Sequence, residues 1–290
     1  MKPPVFEYHA PDTLDEALAL LAEFGDDAKP LAGGQSLIPL LNFRLARPAL
    51  LVDLNRIVTL AGIAQTADGG LRIGGMTRQR ELERNALVAQ RDPLVTETMP
   101  HVAHPQIRNR GTIGGSLAHA EPAAELPAVM ITLGARLRLQ SAKSERWLAA
   151  DDFFTGLFST ALQTGELLTA VELPALTPRT GYAFEEVARR HGDFALLGVA
   201  VCVTLDTLGI CRDARITLVN PGAGAERMTR AAQALVGQRP TASIVTDAGQ
   251  LVAADVTATG DMHASPAYRR QLARVLTRRA LERAFARATA

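Results

Sequence analysis

Two short glycine-centred segments, far apart in the chain, restrict what this protein can fold into more than any other feature. Residues 32–36 read Ala-Gly-Gly-Gln-Ser and residues 112–116 read Thr-Ile-Gly-Gly-Ser; we call them the first and second glycine segments. Glycine has no Cβ and accepts positive φ, so successive peptide N–H groups can face one ligand without obstruction. Such a concavity suits phosphate oxygens, particularly where a helix begins, and the hydroxyls of Ser36, Thr112 and Ser116 can add donors.

Neither segment matches the usual phosphate-binding templates. Both lack the Gly-x-Gly-x-x-Gly spacing of a Rossmann site and the Lys-Ser/Thr of a phosphate loop. One Gly-Gly-x-Ser sequence by itself is typical of a plain turn. Two loops of the same form, each opening a helical run, favour a diphosphate that is held from both sides. A third pair, Gly74-Gly75, is interpreted as a structural turn after a strand.

Composition excludes several classes of function. The chain has 290 residues, 47% of them hydrophobic, which is enough for two domains of roughly 100–200 residues with a real core. Lys and Arg number 31 against 30 Asp and Glu, and aromatics are only 4%, so we expect no nucleic-acid partner. Cys202 and Cys211 are too few to hold an iron–sulfur cluster. The first residues lack a signal-peptide pattern and no apolar run could span a bilayer, which predicts a cytoplasmic protein.

Strand and helix patterns alternate along the first part of the chain. Thr13 to Glu16 form a capping box, followed by apolar residues at helical spacing. Further predicted elements are strands at 6–9, 29–32, 50–53, 167–173, 194–205 and 210–219, a hairpin at 62–74, helices at 36–45, 81–89 and 122–133, and a last helix starting at Ser265-Pro266. Residues 173–181, with two prolines and a glycine, are the predicted linker.

The side chains that usually carry catalysis form no recognisable arrangement. His101 and His104 are three residues apart, but no ligand-type residue accompanies them at metal spacing, so a loop or core role is favoured over zinc. Cys202 lies in an apolar run and is predicted to be inert core. Glu125 follows the second segment and can either complement a helix start or accept from ribose hydroxyls. We therefore predict no catalytic residue and no metal site.

The two segments resemble a known family, the FAD-binding medium subunit of the molybdenum hydroxylases, which includes the carbon monoxide dehydrogenase medium chain and the flavin domain of xanthine dehydrogenase. The resemblance covers the whole chain and also rests on residues 108–111, 125–127, 188–195 and 268–270. The implied fold is α+β: a two-lobed FAD-binding domain of the vanillyl-alcohol-oxidase (PCMH) type over residues 1–176, with lobes of about 1–56 and 57–176. A small antiparallel sheet packed with helices follows at 177–290.

The resemblance also implies the cofactor-binding residues. They are Ala32, Gly33, Gly34, Gln35 and Ser36 on the pyrophosphate, Thr112, Ile113, Gly114, Gly115 and Ser116 closing from the other lobe, Glu125 near the adenosine ribose, Val102 and Leu168 beside the flavin, and Glu185 near the cofactor. Two positions depart from the family pattern. Glu185 stands where xanthine dehydrogenase has a lysine, which reverses the charge, and Gln35 replaces a residue that is often histidine in the carbon monoxide enzymes.

The implied function is electron transfer. In such enzymes a large molybdopterin subunit hydroxylates the substrate, a small subunit carries two [2Fe–2S] clusters, and the medium subunit passes electrons through FAD to an external acceptor. The chain would then be one member of a heterotrimer, in a complex that is expected to be a dimer of heterotrimers, and inactive on the organic substrate when isolated. Two alternatives remain: a stand-alone flavin oxidoreductase, and a scaffold that has lost its flavin, although the intact glycines argue against the second.

Overall fold

The N-terminal alternation of strands and helices forms a three-stranded parallel sheet. The computed structural model describes residues 2–289. The elements here are β1 (Glu7–His9), α1 (Leu14–Phe24), β2 (Ala28–Leu31), α2 (Leu37–Asn42) and β3 (Leu50–Asp53). The strand order is β1-β3-β2, with both pairings parallel. The Thr13–Glu16 capping box is confirmed at the start of α1, and Leu18 and Leu21 pack with Leu50 and Val52 in a small core.

A five-stranded antiparallel sheet dominates the central part of the chain. Its elements are β4 (Ile63–Gln65), β5 (Leu71–Gly74), α3 (Gln79–Arg84), α4 (Ala86–Arg91), α5 (Pro93–Thr98), α6 (Pro105–Arg108), α7 (Ile113–His119), α8 (Glu125–Leu133), β6 (Arg136–Gln140), β7 (Glu145–Ala149), α9 (Ala150–Phe153), β8 (Phe154–Gly156), β9 (Ser159–Thr160) and β10 (Leu167–Leu173). The strand order is β4-β5-β10-β6-β7. The predicted 62–74 hairpin is confirmed, and Gly69 adopts φ +90° in its turn.

The C-terminal part is a four-stranded antiparallel sheet with helices. It comprises β11 (Thr180–Ala188), β12 (Ala195–Leu205), β13 (Cys211–Val219), β14 (Glu226–Arg227), α10 (Thr229–Leu235), α11 (Ala242–Asp255) and α12 (Pro266–Thr289). Leu197 and Val201 of β12 pack in the core with these helices, whereas Ala200 packs in the core that includes α8. Because both faces of β12 are covered, its sequence is a continuous apolar run rather than an alternating one.

Two predicted features differ from the structure, and one strand was not predicted. The helix expected at 81–89 is two helices, because Asn85 is extended and its side chain accepts from the N–H groups of Leu87 and Val88, so it caps a new helix. Gly114 and Gly115 lie inside the first turn of α7 and not in a loop before a helix. Strand β11 was not predicted, since Gly181 was interpreted as part of the linker. A Cβ at Gly181 would lie 1.8 Å from the carbonyl oxygen of Ala284, so this glycine allows β11 to pack against α12.

The fold brings the two glycine segments to one place. The first segment follows the end of β2 directly, and the second spans the N-cap and first turn of α7. The turn after β5 lies against α7, where the N–H of Gly114 donates to the carbonyl of Gly75 over 2.8 Å. The first segment is therefore positioned by the parallel sheet, and the second lies in a helix that packs against the turn after a strand of the five-stranded sheet. Within residues 2–289, no helix has the length and apolar character needed to cross a bilayer.

Candidate functional site

The two glycine segments touch. A Cβ built on Gly33 would lie 2.5 Å from the carbonyl oxygen of Arg110 and 2.8 Å from the Cα of Gly111. A Cβ on Gly115 would lie 3.3 Å from the Cβ of Ala32. Glycine is therefore required at position 33 because the backbones approach closely, whatever ligand is bound. The predicted convergence of the two segments is confirmed.

The first segment presents a row of peptide N–H groups without partners. Within residues 2–289, no backbone N–H from residue 32 to residue 36 donates a hydrogen bond. Gly34 adopts φ +73°, a conformation that side chains with a Cβ rarely take. Unpaired N–H groups in succession form an anion-binding concavity. The first segment therefore has the donors that the sequence predicted for a diphosphate.

The second segment uses its N–H groups internally, which corrects the expectation that both segments would offer free amides. The N–H of Gly114 donates to Gly75, that of Gly115 to the Thr112 hydroxyl over 3.0 Å, and that of Ser116 to the Thr112 carbonyl over 3.1 Å. A Cβ on Gly114 would lie 2.6 Å from the Gly75 oxygen, so this glycine also serves close packing. The Ser116 hydroxyl is half-buried and remains available to a ligand.

Two polar residues that the sequence analysis missed connect the segments. Asn55 follows β3, and its amide donates to the Ala32 carbonyl over 3.0 Å. Arg78 follows β5; its guanidinium donates to the Asn55 amide oxygen over 2.6 Å and also to the Arg110 carbonyl. Gln35 donates to the Gly33 carbonyl over 3.0 Å. No short sequence pattern marks Asn55 or Arg78, because each acts on a carbonyl distant in the chain.

The charges around the segments are mainly positive. Burial and the neighbouring charge of Arg110 lower the pKa of Arg78. Asp53 is the nearby carboxylate: burial raises its pKa, but hydrogen bonds from Tyr8 and Asn55 more than offset this and hold it below the usual range. A surface groove of about 600 Å³ continues along α3. Its lining residues are Arg78, Arg80, Glu81, Arg84, Asn85 and Asn109.

The apolar residues assigned to the cofactor lie in or against the central core. Val102 is 7% exposed and Ile113 is fully buried, both within the core that includes α8. Leu168 is half-buried and packs on the same core, and its carbonyl faces Gly75, where a Cβ would lie 2.4 Å away. Gly75 also contacts Gly114. In space, Gly75 therefore lies between Leu168 and the second segment.

Glu125 lies in a buried acidic cluster that the sequence did not reveal. It begins α8 at 6% exposure, and burial raises its pKa. Burial and the negative charge of Glu125 likewise raise the pKa of Glu186, whose side chain is only 3% exposed. His101 Nδ1 lies 3.9 Å from Glu186, but burial lowers the pKa of His101 and favours its neutral form. The second carboxylate oxygen of Glu186 has no hydrogen-bond partner within residues 2–289.

Glu185 points into a different set of contacts. Its carboxylate pairs with Arg283 of α12 at 2.5 Å, and Arg283 also pairs with Glu97 of α5 at 2.8 Å. These contacts join β11 to two helices rather than to the glycine segments. Glu185 thus belongs to an ion-pair network, and its predicted place near the cofactor stays a prediction.

The histidines and cysteines form no metal-binding group within residues 2–289. In the described part of the chain, residues 2–289, no three His, Cys, Asp or Glu side chains lie close enough to hold a metal ion. Cys202 is buried in β12, as predicted, and burial raises the pKa of its thiol to about 12. A thiol with such a pKa is not a nucleophile at neutral pH.

Family models match nearly the whole chain. Residues 4–176 match the model described as "FAD binding domain in molybdopterin dehydrogenase". Residues 182–284 match the model described as "CO dehydrogenase flavoprotein C-terminal domain".

Known relatives and a solved structure match this chain over nearly its whole length. The chain is 43% identical to "6-hydroxypseudooxynicotine dehydrogenase complex subunit alpha" of Paenarthrobacter nicotinovorans, over 99% of this chain and 97% of the relative. It is 43% identical to "Caffeine dehydrogenase subunit beta" of Pseudomonas sp. (strain CBB1), over 98% and 96%. A chain of carbon monoxide dehydrogenase from Hydrogenophaga pseudoflava superposes with a TM-score of 0.96 at 39% identity, covering 99% of both chains.

Proposed function

The chain belongs to the family of FAD-binding medium subunits of the molybdenum hydroxylases, and from this premise we propose that it is the electron-exit subunit of a heterotrimeric enzyme. It is a flavoprotein subunit of an oxidoreductase with a mixed α+β fold, and its cofactor is FAD. The resemblance predicted from the sequence is therefore confirmed. Bound FAD supplies a redox centre that exchanges electrons singly with an iron–sulfur cluster and in pairs with an acceptor.

The observation that carries the proposal is the row of unpaired N–H groups at residues 32–36, which lies against the second segment. An FAD diphosphate offers the acceptor oxygens that these donors lack. In the proposed site, Ser116 and the Thr112 end of α7 close on the diphosphate from the opposite side. Val102 and Leu168 lie beside the flavin, Glu125 lies near the ribose, and Glu185, which is paired with Arg283, lies near the cofactor.

Partner subunits follow from the same reasoning. The names of the relatives describe subunits of larger complexes. The proposed partners are a small subunit with [2Fe–2S] clusters, which reduces the FAD, and a large molybdopterin subunit, with two such heterotrimers in the whole complex. The relatives are named for different substrates at nearly the same identity. The substrate is therefore selected on another polypeptide, and this chain by itself is proposed to leave it unchanged.

The division of labour within the chain is also a proposal. We place the FAD-binding unit at residues 1–176 and the C-terminal unit at 177–290. Residues 174–179, between β10 and β11, have no regular structure, which supports this division. The core that includes α8 nevertheless contains Phe184 and Ala200, so the two units share packed side chains and are expected to unfold together.

The test uses the purified full chain and its reduced iron–sulfur partner. We expect the chain to release FAD, not FMN, on denaturation, and we expect flavin absorbance to bleach when the reduced partner is added anaerobically. The organic substrate alone should leave the flavin oxidised. Rapid bleaching by a small substrate without any partner would instead favour a stand-alone flavin oxidoreductase. A chain that is colourless after incubation with excess FAD and removal of the unbound FAD would overturn the proposal.

A further inference from the structure

Three peptide carbonyls of the two glycine segments and their flanks are held by side-chain donors. Asn55 holds the Ala32 oxygen, Gln35 holds the Gly33 oxygen, and Arg78 holds the Arg110 oxygen. In a planar trans peptide, the C=O and the following N–H point in opposite directions. A side chain that fixes the Ala32 carbonyl therefore also fixes the direction of the Gly33 N–H.

Asn55 and Arg78 form one continuous chain of hydrogen bonds between the segments. The Asn55 amide donates to Ala32 and accepts from Arg78, which in turn donates to Arg110. Asp53 and Tyr8 in turn fix the position of Asn55. The backbone N–H of Asn55 donates to the Asp53 carboxylate over 2.9 Å, and this carboxylate also accepts from the Tyr8 hydroxyl over 2.5 Å. The backbone of Arg78 also pairs with Thr112 as an isolated antiparallel bridge. The connection thus joins the end of β3 to the start of α7.

We propose that Asn55 and Arg78 are positioning residues that orient the N–H groups of the first segment toward the FAD diphosphate and set its distance from the second segment. This inference rests on the proposed function. Neither side chain needs to touch the cofactor, since both act through carbonyls on the side opposite to the free donors. Without them, the Ala32–Gly33 peptide can rotate and turn a carbonyl oxygen toward the phosphates.

Simple attraction between a cation and the diphosphate is the competing explanation for any effect of Arg78. Arg84 is the last residue of α3, the helix whose N-cap is Arg78; it lines the same groove and is exposed. Among residues 2–289, its side chain has no hydrogen-bond or ion-pair partner, and the neighbouring Glu83 pairs with Arg80 and Arg108 instead. Arg84→Met therefore removes one positive charge near the site without breaking the chain of hydrogen bonds, and it is the matched control for Arg78→Met.

The experiment measures FAD affinity of the full-length apo chain by quenching of flavin fluorescence. Loss of hydrogen bonds from a charged donor is expected to weaken binding about 10- to 100-fold in Arg78→Met. Asn55→Ala should weaken binding by at least about 10-fold, because it removes the bond to the Ala32 carbonyl and also the amide oxygen that accepts from Arg78. Arg78→Lys keeps the charge but not the two-pronged geometry, so it should bind nearly as weakly as Arg78→Met. Arg84→Met should bind like the wild type. The double variant Asn55→Ala/Arg78→Met should be no weaker than the weaker single variant, because both belong to one chain of bonds.

Phosphorus NMR of bound FAD gives a signature that a general loss of stability would not produce. At saturating FAD, the diphosphate resonances should shift in Asn55→Ala and Arg78→Lys but remain in place in Arg84→Met. Full affinity in Arg78→Lys, or equal weakening in Arg84→Met, would show that charge and not positioning is responsible. If Arg78→Met does not fold, Asn55→Ala and Arg78→Lys decide the matter. A wild-type chain that binds no FAD overturns the proposed function as well, whereas variants that bind FAD as the wild type does overturn only the positioning role.

Discussion

The two glycine segments have the same form in sequence and opposite uses in the structure. In residues 32–36 the N–H groups are free, whereas in the second segment those of Gly114, Gly115 and Ser116 already have acceptors. A missing Cβ at Gly114 admits the backbone of Gly75, not a ligand. Paired glycines therefore indicate that main chain is closely approached. Whether their N–H groups can bind a cofactor depends on whether acceptors within the protein already occupy them.

The difference has a consequence for how the two segments respond to substitution. The first segment lies at the end of a strand and ahead of a short helix with exposed residues, so it can move when it is crowded. The second lies in a helix turn packed on a buried strand end, and interiors at native density do not yield easily. Variants of the second segment should therefore lower the stability of the apo chain, and variants of the first should lower FAD affinity.

The largest effect is expected for Gly114→Ala. Its methyl would lie 2.6 Å from the Gly75 oxygen and 2.9 Å from the Gly75 Cα, both backbone atoms. We expect the free energy of unfolding of the apo chain to fall by about 3 kcal/mol, as for overpacking of a rigid core. Urea unfolding measures this, with Gly115→Ala as the control, because the atom nearest to its methyl is the Thr112 hydroxyl. Unchanged stability with lost FAD binding would mean that the second segment is a ligand cradle like the first.

Gly33→Ala should act mainly on the cofactor. Its methyl would meet the Arg110 oxygen at 2.5 Å and the Gly111 Cα at 2.8 Å, so the segments must separate. We expect FAD affinity to fall by about 2 kcal/mol with a smaller loss of apo stability. Titration calorimetry and thermal unfolding together measure the two effects. Gly224→Ala is the control, because its methyl would meet open space. If Gly33→Ala lowered the stability of the apo chain more than Gly114→Ala does, the comparison between the segments would be reversed.

The buried carboxyls of Glu125 and Glu186 predict a pH dependence of stability. The folded pKa values of Glu125 and Glu186 are raised by burial above the ordinary value of 4.5. Stability from these groups is therefore fully present below pH 4.5 and is lost as the pH rises through the folded pKa values. Glu186→Gln should flatten this decline and raise the free energy of unfolding at alkaline pH by on the order of 2 kcal/mol.

Urea unfolding across neutral and alkaline pH checks this expectation. Glu185→Gln is the matched control, because the Glu185 carboxylate is paired with Arg283 and the protein should gain no stability when this carboxylate is neutralised. If Glu186→Gln leaves the pH profile unchanged, the buried carboxyl is not the titrating group.

The smallest effect is expected for Thr112→Ala, which removes the N-cap of α7. The Thr112 hydroxyl accepts from the Gly115 N–H over 3.0 Å, and loss of such a cap typically costs about 1 kcal/mol. Thr112→Ser keeps the cap and should behave as the wild type in thermal unfolding. FAD affinity should change little in either variant. A strong loss of affinity in Thr112→Ala alone would assign the hydroxyl to the cofactor instead of the helix.

Local patterns predicted most of the regular elements. The capping box at Thr13, the Asp68–Gly70 turn and the start of α12 at Pro266 were recognisable because each depends on residues close in sequence. The misplaced elements depended on distant contacts. Gly181 interrupts a local pattern, but in the fold it is the residue that admits α12 against β11. Asn85 divides a helix because its side chain caps the second part, which apolar spacing does not reveal.

The site was predicted in part. The residues of the two segments and their meeting followed from the sequence and from family resemblance, whereas Asn55, Arg78 and Glu186 did not. The first two act on carbonyls of other segments, and Glu186 is distinguished only by burial beside Glu125. Assignments of individual residues to FAD atoms stay predictions for the experiments above.

The sequence by itself determined many of the strands and helices, because periodicity and capping depend on neighbouring residues, and its resemblance to a known family implied the α+β class and the cofactor. The tertiary structure decided which peptide N–H groups remain free to bind. Whether a donor is free depends on the acceptor nearest to it in space: for Gly114 that acceptor is Gly75, and for Gly33 and Gly34 there is none within residues 2–289. Two glycine pairs that look equivalent along the chain therefore differ in their N–H groups, which are free in the first pair and bonded within the protein in the second.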